Sequence, residues 1–372
     1  MSNSKLKKLA ILSSGLEKRR DRGYEQSSYK LFDNIRNDKE FGCLVELYKG
    51  SGQNNNHDEF VIKSFANKRW VKKLGDKVFS DSYVFEYIIF AVFFIIHCLL
   101  RNKRFDVIYT QEPRVAKTLY QLKPLLKGRP RIVFAMGVKM TPEHYVNISD
   151  RVQIVNIEHY KNATKMYPTS NKFILLENPN SILSVYNGAD NRNSLRAKYN
   201  IKTQNVLLSI GAINSTIKRM NYVISEFKNV NQNWTLVLVG NPQEEELLHE
   251  ATNSLGERFR HFFVEPKDIP ELFALADIFA LASIVEGFPN VLLESISNQV
   301  PSIMHKRELH EWALENSNFL VDMTIPGALS SFINSLTEDR WNSEKQHLKA
   351  LYETRYSWDV QRYKYQQLLL EN

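Results

Sequence analysis

Short apolar runs recur along this chain with room for one helix between each pair, and that alternation restricts the possible folds more than any other feature. The runs are Leu6–Leu12, Val107–Thr110, Arg131–Ala135 and Val152–Ile157. After a turn-like Glu177-Asn178-Pro179-Asn180 come Val206–Ile210, Thr235–Val239, Phe262–Val264, Ile278–Leu281 and Pro301–Met304. Helical stretches such as Tyr29–Ile35, Tyr222–Phe227, Glu244–Thr252 and Ile269–Ala276 lie between them. Strands apolar on both faces and separated by helices belong to parallel sheets covered on both sides. The expected class is therefore α/β, with two doubly wound domains facing a central cleft. The polar turn divides them into residues 1–178 and 179–355. With 372 residues the chain is long enough for two such cores. Ligands of doubly wound sheets bind beyond the carboxyl ends of the strands, so the loops that follow strands are where chemistry is expected.

Composition removes several other classes. The chain is 43% hydrophobic and 24% charged, which is globular and neither disordered nor collagenous. Cys43 and Cys98 are too few for a disulfide framework or a cysteine zinc site, which suggests a reducing compartment. The apolar run Leu9–Leu12 is too short for a signal-peptide core and reads as a first strand, so a cytoplasmic location is expected.

Charge is unevenly distributed. Residues 1–180 hold 31 Lys and Arg against 18 Asp and Glu, a net +13, whereas the remainder carries 18 basic and 23 acidic residues, a net −5. Such asymmetry suggests an anionic partner for the N-terminal half, or simply a basic surface. Tyr87–Ile96 is an uninterrupted apolar stretch followed by Arg101, Lys103 and Arg104, with Lys68, Arg69, Lys72 and Lys73 upstream. It is too short to span a bilayer and reads first as a buried helix. The surrounding cations leave peripheral contact with an anionic membrane surface open.

The stretch with most chemical content runs Ala282-Ser283-Ile284-Val285-Glu286-Gly287-Phe288-Pro289-Asn290-Val291-Leu292-Leu293-Glu294. It follows the strand Ile278–Leu281, and Pro289 suits the first position of a helix. Amide N–H groups at Gly287, Phe288, Asn290 and Val291 would then face an anion such as phosphate. A carboxylate such as Glu294 inside an apolar helix is costly unless it meets donors, and the vicinal hydroxyls of a ribose supply two. On periodicity alone Glu286 and Glu294 read as solvated surface residues.

This segment resembles the Glu-x7-Glu signature of the family 4 retaining glycosyltransferases of the GT-B fold, whose two domains are Rossmann-like. The resemblance implies that Glu286 holds hydroxyls of a donor sugar and that Glu294 binds the nucleotide ribose. Leu207–Ile213 followed by Lys218-Arg219 is similar to a second family segment, in which an Arg and a Lys neutralise the donor diphosphate. Lys218 stands at the lysine position, whereas Ala212 replaces the arginine. Arg219 or Arg22 is a candidate to supply the missing cation. Ser13-Ser14-Gly15 and Arg22-Gly23 resemble the family's glycine-rich N-terminal loop, which makes Gly15 and Gly23 donor-binding candidates. Tyr356-Ser357-Trp358-Asp359 and the helix after it resemble the closing segment (356–372), which in the family rejoins the N-terminal domain.

No Asp-x-Asp occurs in the chain, and no His, Asp or Glu cluster has metal-ligand spacing. The expected activity is metal-independent transfer of a sugar from a nucleoside-diphosphate sugar to a glycan or glycolipid acceptor, with retention of configuration and no cofactor. Two other readings stay open. One is a nucleotide-sugar epimerase or a phosphorylase on the same scaffold. The other is a non-catalytic basic protein at a membrane or nucleic acid, although the aromatic-plus-basic patterns of nucleic-acid binders are missing.

Overall fold

The computed structural model describes residues 6–16, 23–63, 83–137, 140–180 and 189–371. The chain divides into two compact units, Met1–Ser181 with Trp358–Asn372, and Ile182–Ser357.

In the first unit the elements run β1 (Lys7–Ser13), α1 (Gly23–Asn37), β2 (Cys43–Lys49), β3 (Glu59–Val61), α2 (Tyr83–Leu100), β4 (Val107–Thr110) and α3 (Pro113–Gln121). They continue with β5 (Arg131–Met136), α4 (Pro142–Tyr145), β6 (Arg151–Ile154), α5 (Ile157–Met166) and β7 (Phe173–Leu175). The seven strands form one parallel sheet in the order β3-β2-β1-β4-β5-β6-β7. Successive side chains of a strand point to opposite faces, and β1 shows the result. Leu9 and Ile11 join a core with Leu31, Phe32 and Ile35 of α1 and with Trp358, Tyr365, Leu368 and Leu369 of the closing helix, Trp358–Leu370. Ala10 and Leu12 face Phe90, Ala91, Phe94 and Cys98 of α2 on the other side. The apolar run Tyr87–Ile96 thus lies within a core-packed helix, and no helix among the described residues is long and apolar enough to cross a membrane.

A charged pair is buried at the carboxyl end of β2. Lys49 Nζ lies 2.8 Å from Glu59 Oε2, both side chains are fully buried, and Asn56 donates to the other Glu59 oxygen at 2.7 Å. Burial pushes the Glu59 carboxyl up, but the hydrogen bonds from Lys49 and Asn56 more than reverse that and hold it below its ordinary value. Both cysteines are free thiols, and burial pushes each up to about 12, so neither is reactive at neutral pH.

The second unit runs α6 (Ala189–Lys198), β8 (Asn205–Ile210), α7 (Met220–Phe227), β9 (Trp234–Val239), α8 (Glu245–Leu255), β10 (Phe259–Phe262) and α9 (Ile269–Leu275). After these come β11 (Ile278–Leu281), α10 (Asn290–Ser297), β12 (Ser302–His305), α11 (Glu308–Leu314), β13 (Leu320–Val321), α12 (Ala328–Asn334), α13 (Glu338–Leu351) and a π-helical turn, Tyr352–Tyr356. Its parallel sheet has the order β10-β9-β8-β11-β12-β13. Strand order reverses beside β8, since β9 lies on one side of it and β11 on the other. Such a reversal opens a crevice at the carboxyl edge.

Candidate functional site

At that edge Gly211 follows β8 and Gly240 follows β9, and the two backbones are in close contact. A Cβ on Gly240 would stand 1.9 Å from the Gly211 carbonyl oxygen, and both residues have positive φ, +148° and +153°. Only glycine fits there without displacing backbone. The loop after Gly211 is then folded around Asn214. Its Oδ1 accepts from the amides of Ile217 (3.0 Å) and Lys218 (2.9 Å), and its Nδ2 donates to Gln243. This side-chain turn delivers Lys218 to the start of α7.

Lys218 lies over Gly211, where a Cβ would come 2.9 Å from its Cδ and Cε, and its ammonium is ion-paired with the Glu286 carboxylate. The partners sit 68 residues apart in the chain, one after β8 and one after β11, and both are mostly buried. A pair in that setting is screened less than a surface pair.

Arg219 takes a different direction. Its backbone is left-handed (φ +51°), and its guanidinium donates to the carbonyls of Ala282 (3.3 Å) and Met323 (3.0 Å) while lying 4.7 Å from the Tyr222 ring centre. It ties the exit of β11 to the loop after β13.

The Glu286 loop is supported from below by α11. Arg307 donates to the Ile284 carbonyl at 2.7 Å, and Trp312 meets the buried Phe288 ring edge-on at 6.1 Å. The π-helical turn in its turn holds α11: Arg355 donates to the Trp312 carbonyl and lies over the Trp312 ring at 4.3 Å, and Tyr356 donates to the Ala313 carbonyl. His310, fully buried, bonds through Nδ1 to the His305 carbonyl at 2.7 Å. A carbonyl only accepts, so Nδ1 carries the proton and Nε2 is a bare acceptor, with no partner among the described residues. Burial lowers the His310 pKa to about 4, with nearby Glu286 acting in the opposite direction. Ser283 Oγ, at the start of the loop, is also buried, with no partner among the described residues.

Gly287, Phe288, Asn290 and Val291 follow Glu286 into α10. The helix starts at Asn290 with Pro289 as its cap, one residue later than the sequence suggests, because Pro289 keeps an extended ψ of 109°. Glu294 is half-buried on α10, and its carbonyl receives the side chains of Ser297 and Asn298.

In the first unit Gly15 follows β1. Its amide donates to Glu112 Oε1 at 3.3 Å alongside the Ser14 amide and hydroxyl, and a Cβ there would stand 2.3 Å from Glu25 Oε1. The space beside Gly15 is therefore filled by a carboxylate of α1. Gly23 opens α1, and its carbonyl receives Ser27 Oγ. Arg22 lies outside the described residues. Among the described residues no group of three or more His, Cys, Asp or Glu could hold a metal ion.

Asn214, Gly240, Ser283, His310 and Trp312 were not readable as site residues. Asn214 accepts from amides three and four residues on, beyond the two-residue reach of an Asx turn, so no local turn pattern marks it.

Two α/β units, built on parallel sheets of seven and six strands, match the GT-B class of fold. Residues 191–354, all within the second unit, match the family described as glycosyl transferases group 1. No curated protein matches the chain. Among solved structures, Alr3699/HepE of Anabaena in complex with UDP and glucose is similar at TM-score 0.73 and 16% identity, over 96% of this chain and 98% of that one. A glycosyltransferase from Rickettsia africae ESF-5 is similar at TM-score 0.75 and 13% identity, over 98% of both chains. Sucrose-phosphate synthase from Thermosynechococcus elongatus gives 0.74 and 15%, over 97% and 98%.

Proposed function

We propose that this chain is a metal-independent, retaining glycosyltransferase related to family 4. It transfers a sugar from a nucleoside-diphosphate sugar to a glycan or glycolipid acceptor. The observation that carries this reading is the Lys218–Glu286 pair at the carboxyl edge of the sheet, inside the region that matches the glycosyl transferases group 1 model. In this mechanism Lys218 swings from Glu286 to the donor diphosphate and stabilises the charge that grows as the bond from the anomeric carbon to phosphate oxygen breaks. Glu286, released, accepts hydrogen bonds from sugar hydroxyls. Glu294 accepts from the ribose, and the first turn of α10 faces the phosphates. The acceptor hydroxyl attacks from the face the diphosphate leaves. Its proton passes to the departing phosphate oxygen, so configuration is retained without a side-chain base. Lysine supplies the positive charge that an Asp-x-Asp-bound metal supplies elsewhere, and the chain has no Asp-x-Asp. Arg219, bonded to two carbonyls, acts as a loop tie, so Lys218 is the principal cation of the donor site.

The test is a thermal-shift panel of nucleoside diphosphates and their sugars, headed by UDP and UDP-glucose because Alr3699/HepE binds them. Product analysis with saccharide and lipid-linked acceptors follows. Glu294→Ala should abolish the shift given by nucleotides, and Lys218→Ala should lower turnover about 10²-fold or more. Transfer in the presence of EDTA and a product with the donor's anomeric configuration are expected. Conversion of the nucleotide sugar with no acceptor present would mark an epimerase instead.

A further inference from the structure

Leu6, Leu44, Leu99, Leu100 and Leu125 are each more than half exposed, Leu100 by 80%. All five lie at the amino edge of the seven-stranded sheet, the edge opposite the loops that follow the strands. Leu6 precedes β1, Leu44 lies at the start of β2, Leu99 and Leu100 end α2 just before β4, and Leu125 precedes β5. Those four strands are consecutive neighbours in the sheet order. Face parity brings the leucines closer still. Even-numbered residues of β1 and β2, such as Ala10, Leu12 and Tyr48, pack toward α2, so Leu6 and Leu44 stand on the α2 side. The turn around Leu125 is tied to the turn after α2 by Lys127 Nζ donating to Asn102 at 3.0 Å. Arg104 also lies close over Gly128.

The same edge carries Lys8, Arg101, Arg104, Lys127 and Arg129, none with an ion pair among the described residues. The carboxylates nearby are mostly engaged. Asp106 accepts from the Lys8 amide, and Asp150 accepts from Lys123 and the Ile132 amide; Glu371 is exposed. The other cations of the edge, Lys7, Arg131 and Arg151, are spent on the last carbonyls of the closing helix. What is left outward is leucine and an excess of positive charge, five cations against the carboxylates of Asp106 and Glu371.

We propose that this amino edge is a docking surface for an anionic lipid bilayer. Protruding leucines enter the headgroup boundary and the arginines and lysines meet lipid phosphates, two weak signals that together hold a protein at a membrane. A second copy of the chain is the poorer occupant, because a symmetric contact would set these cations against one another. Nucleic acid would use the charge but leave the leucines in water. The surface is independent of the donor site in the second unit, so docking does not depend on the enzymatic reading.

The test is co-sedimentation of the full chain with vesicles of 30% phosphatidylglycerol in phosphatidylcholine, against vesicles of phosphatidylcholine alone. Binding to the anionic vesicles, released by 0.5 M salt, is expected. Each cation near an anionic surface is worth about fivefold in partitioning, so Arg101→Ser/Arg104→Ser should weaken it about 25-fold. Leu99→Ser/Leu100→Ser should weaken it as well. Lys267→Ser/Lys349→Ser, which removes the same charge from exposed positions of the second unit, should leave it unchanged. No binding by the parent chain overturns the proposal, as does equal loss in the second-unit variant. Full binding by the leucine variant together with competition by duplex DNA points to nucleic acid and also overturns it. So does a dimer in sedimentation velocity that the leucine variant converts to monomer.

Discussion

Replacement of His310 by asparagine should remove a specific part of the acid sensitivity of the second unit. The imidazole is fully buried, and Nδ1 donates to the His305 carbonyl. Asparagine places its amide nitrogen near the Nδ1 position, so the bond to the carbonyl is kept and the titration is lost. In the folded protein His310 takes up a proton only near pH 4, against 6.5 for the ordinary side chain. Between those values the unfolded chain binds the proton and the folded one does not. The contribution of His310 is therefore complete above about 6.5 and is lost as pH falls toward 4. That gap corresponds to roughly 3 kcal/mol, of which about 2.5 kcal/mol falls between pH 7.5 and 4.5. The assay is urea unfolding followed by a probe in the second unit, across that range, for both proteins. The titration of the rest of the protein, His305 included, largely cancels in the difference. With a slope of about 2 kcal/mol/M, the parental midpoint should fall about 1 M further than the variant's on acidification. Parallel curves would refute the reasoning. A variant that loses more than the parent would mean that His310 is charged and paired with Glu286 in the native protein.

Three other outcomes follow from the geometry. Gly211→Ala, which forces a Cβ onto the Lys218 side chain at a positive φ, should cost about 1–3 kcal/mol of stability. Its turnover should fall toward that of Lys218→Ala, measured by nucleoside-diphosphate release. Gly240→Ala, whose Cβ meets backbone rather than a flexible chain, should fail to give a folded second unit in circular dichroism melts. Lys49→Met strands the Glu59 carboxylate and should cost about 3–5 kcal/mol, most of it recovered in Lys49→Met/Glu59→Leu, as calorimetry would show.

The parallel α/β organisation was legible because buried central strands are continuous apolar runs. Val107–Thr110 and Ile278–Leu281 were placed to the residue. Strands with polar content were not. Cys43–Lys49 contains Glu46 and Lys49, whose charges are neutralised by Lys103 and Glu59, partners no local pattern reveals. Glu59–Val61, Phe173–Leu175 and Leu320–Val321 are too short for a period to register. The edge strand Phe259–Phe262 begins three residues before its apolar pattern does, because Arg260 and His261 look like loop; Arg260 in fact bonds to the Asn200 carbonyl. The strand expected to reach Ile157 ends at Ile154, since the Asn156 side chain caps the next helix by accepting from the amides of Glu158 and His159. At the site, Lys218 and Glu286 could each be singled out, but not their contact. His310 gave no signal, as one histidine in an apolar helix looks like any other.

The internal salt link between Lys218 and Glu286 has a consequence for selectivity under the proposed reading. A ligand offering only phosphate takes the lysine and leaves the glutamate without its counterion. One offering only hydroxyls does the reverse. Either way half of a mostly buried couple is orphaned, and that cost subtracts from the binding energy supplied by Glu294 and the first turn of α10. A compound that presents both groups at once satisfies both halves. The resting contact therefore works as a two-key lock that intact sugar diphosphate opens fully and either fragment opens only at a penalty.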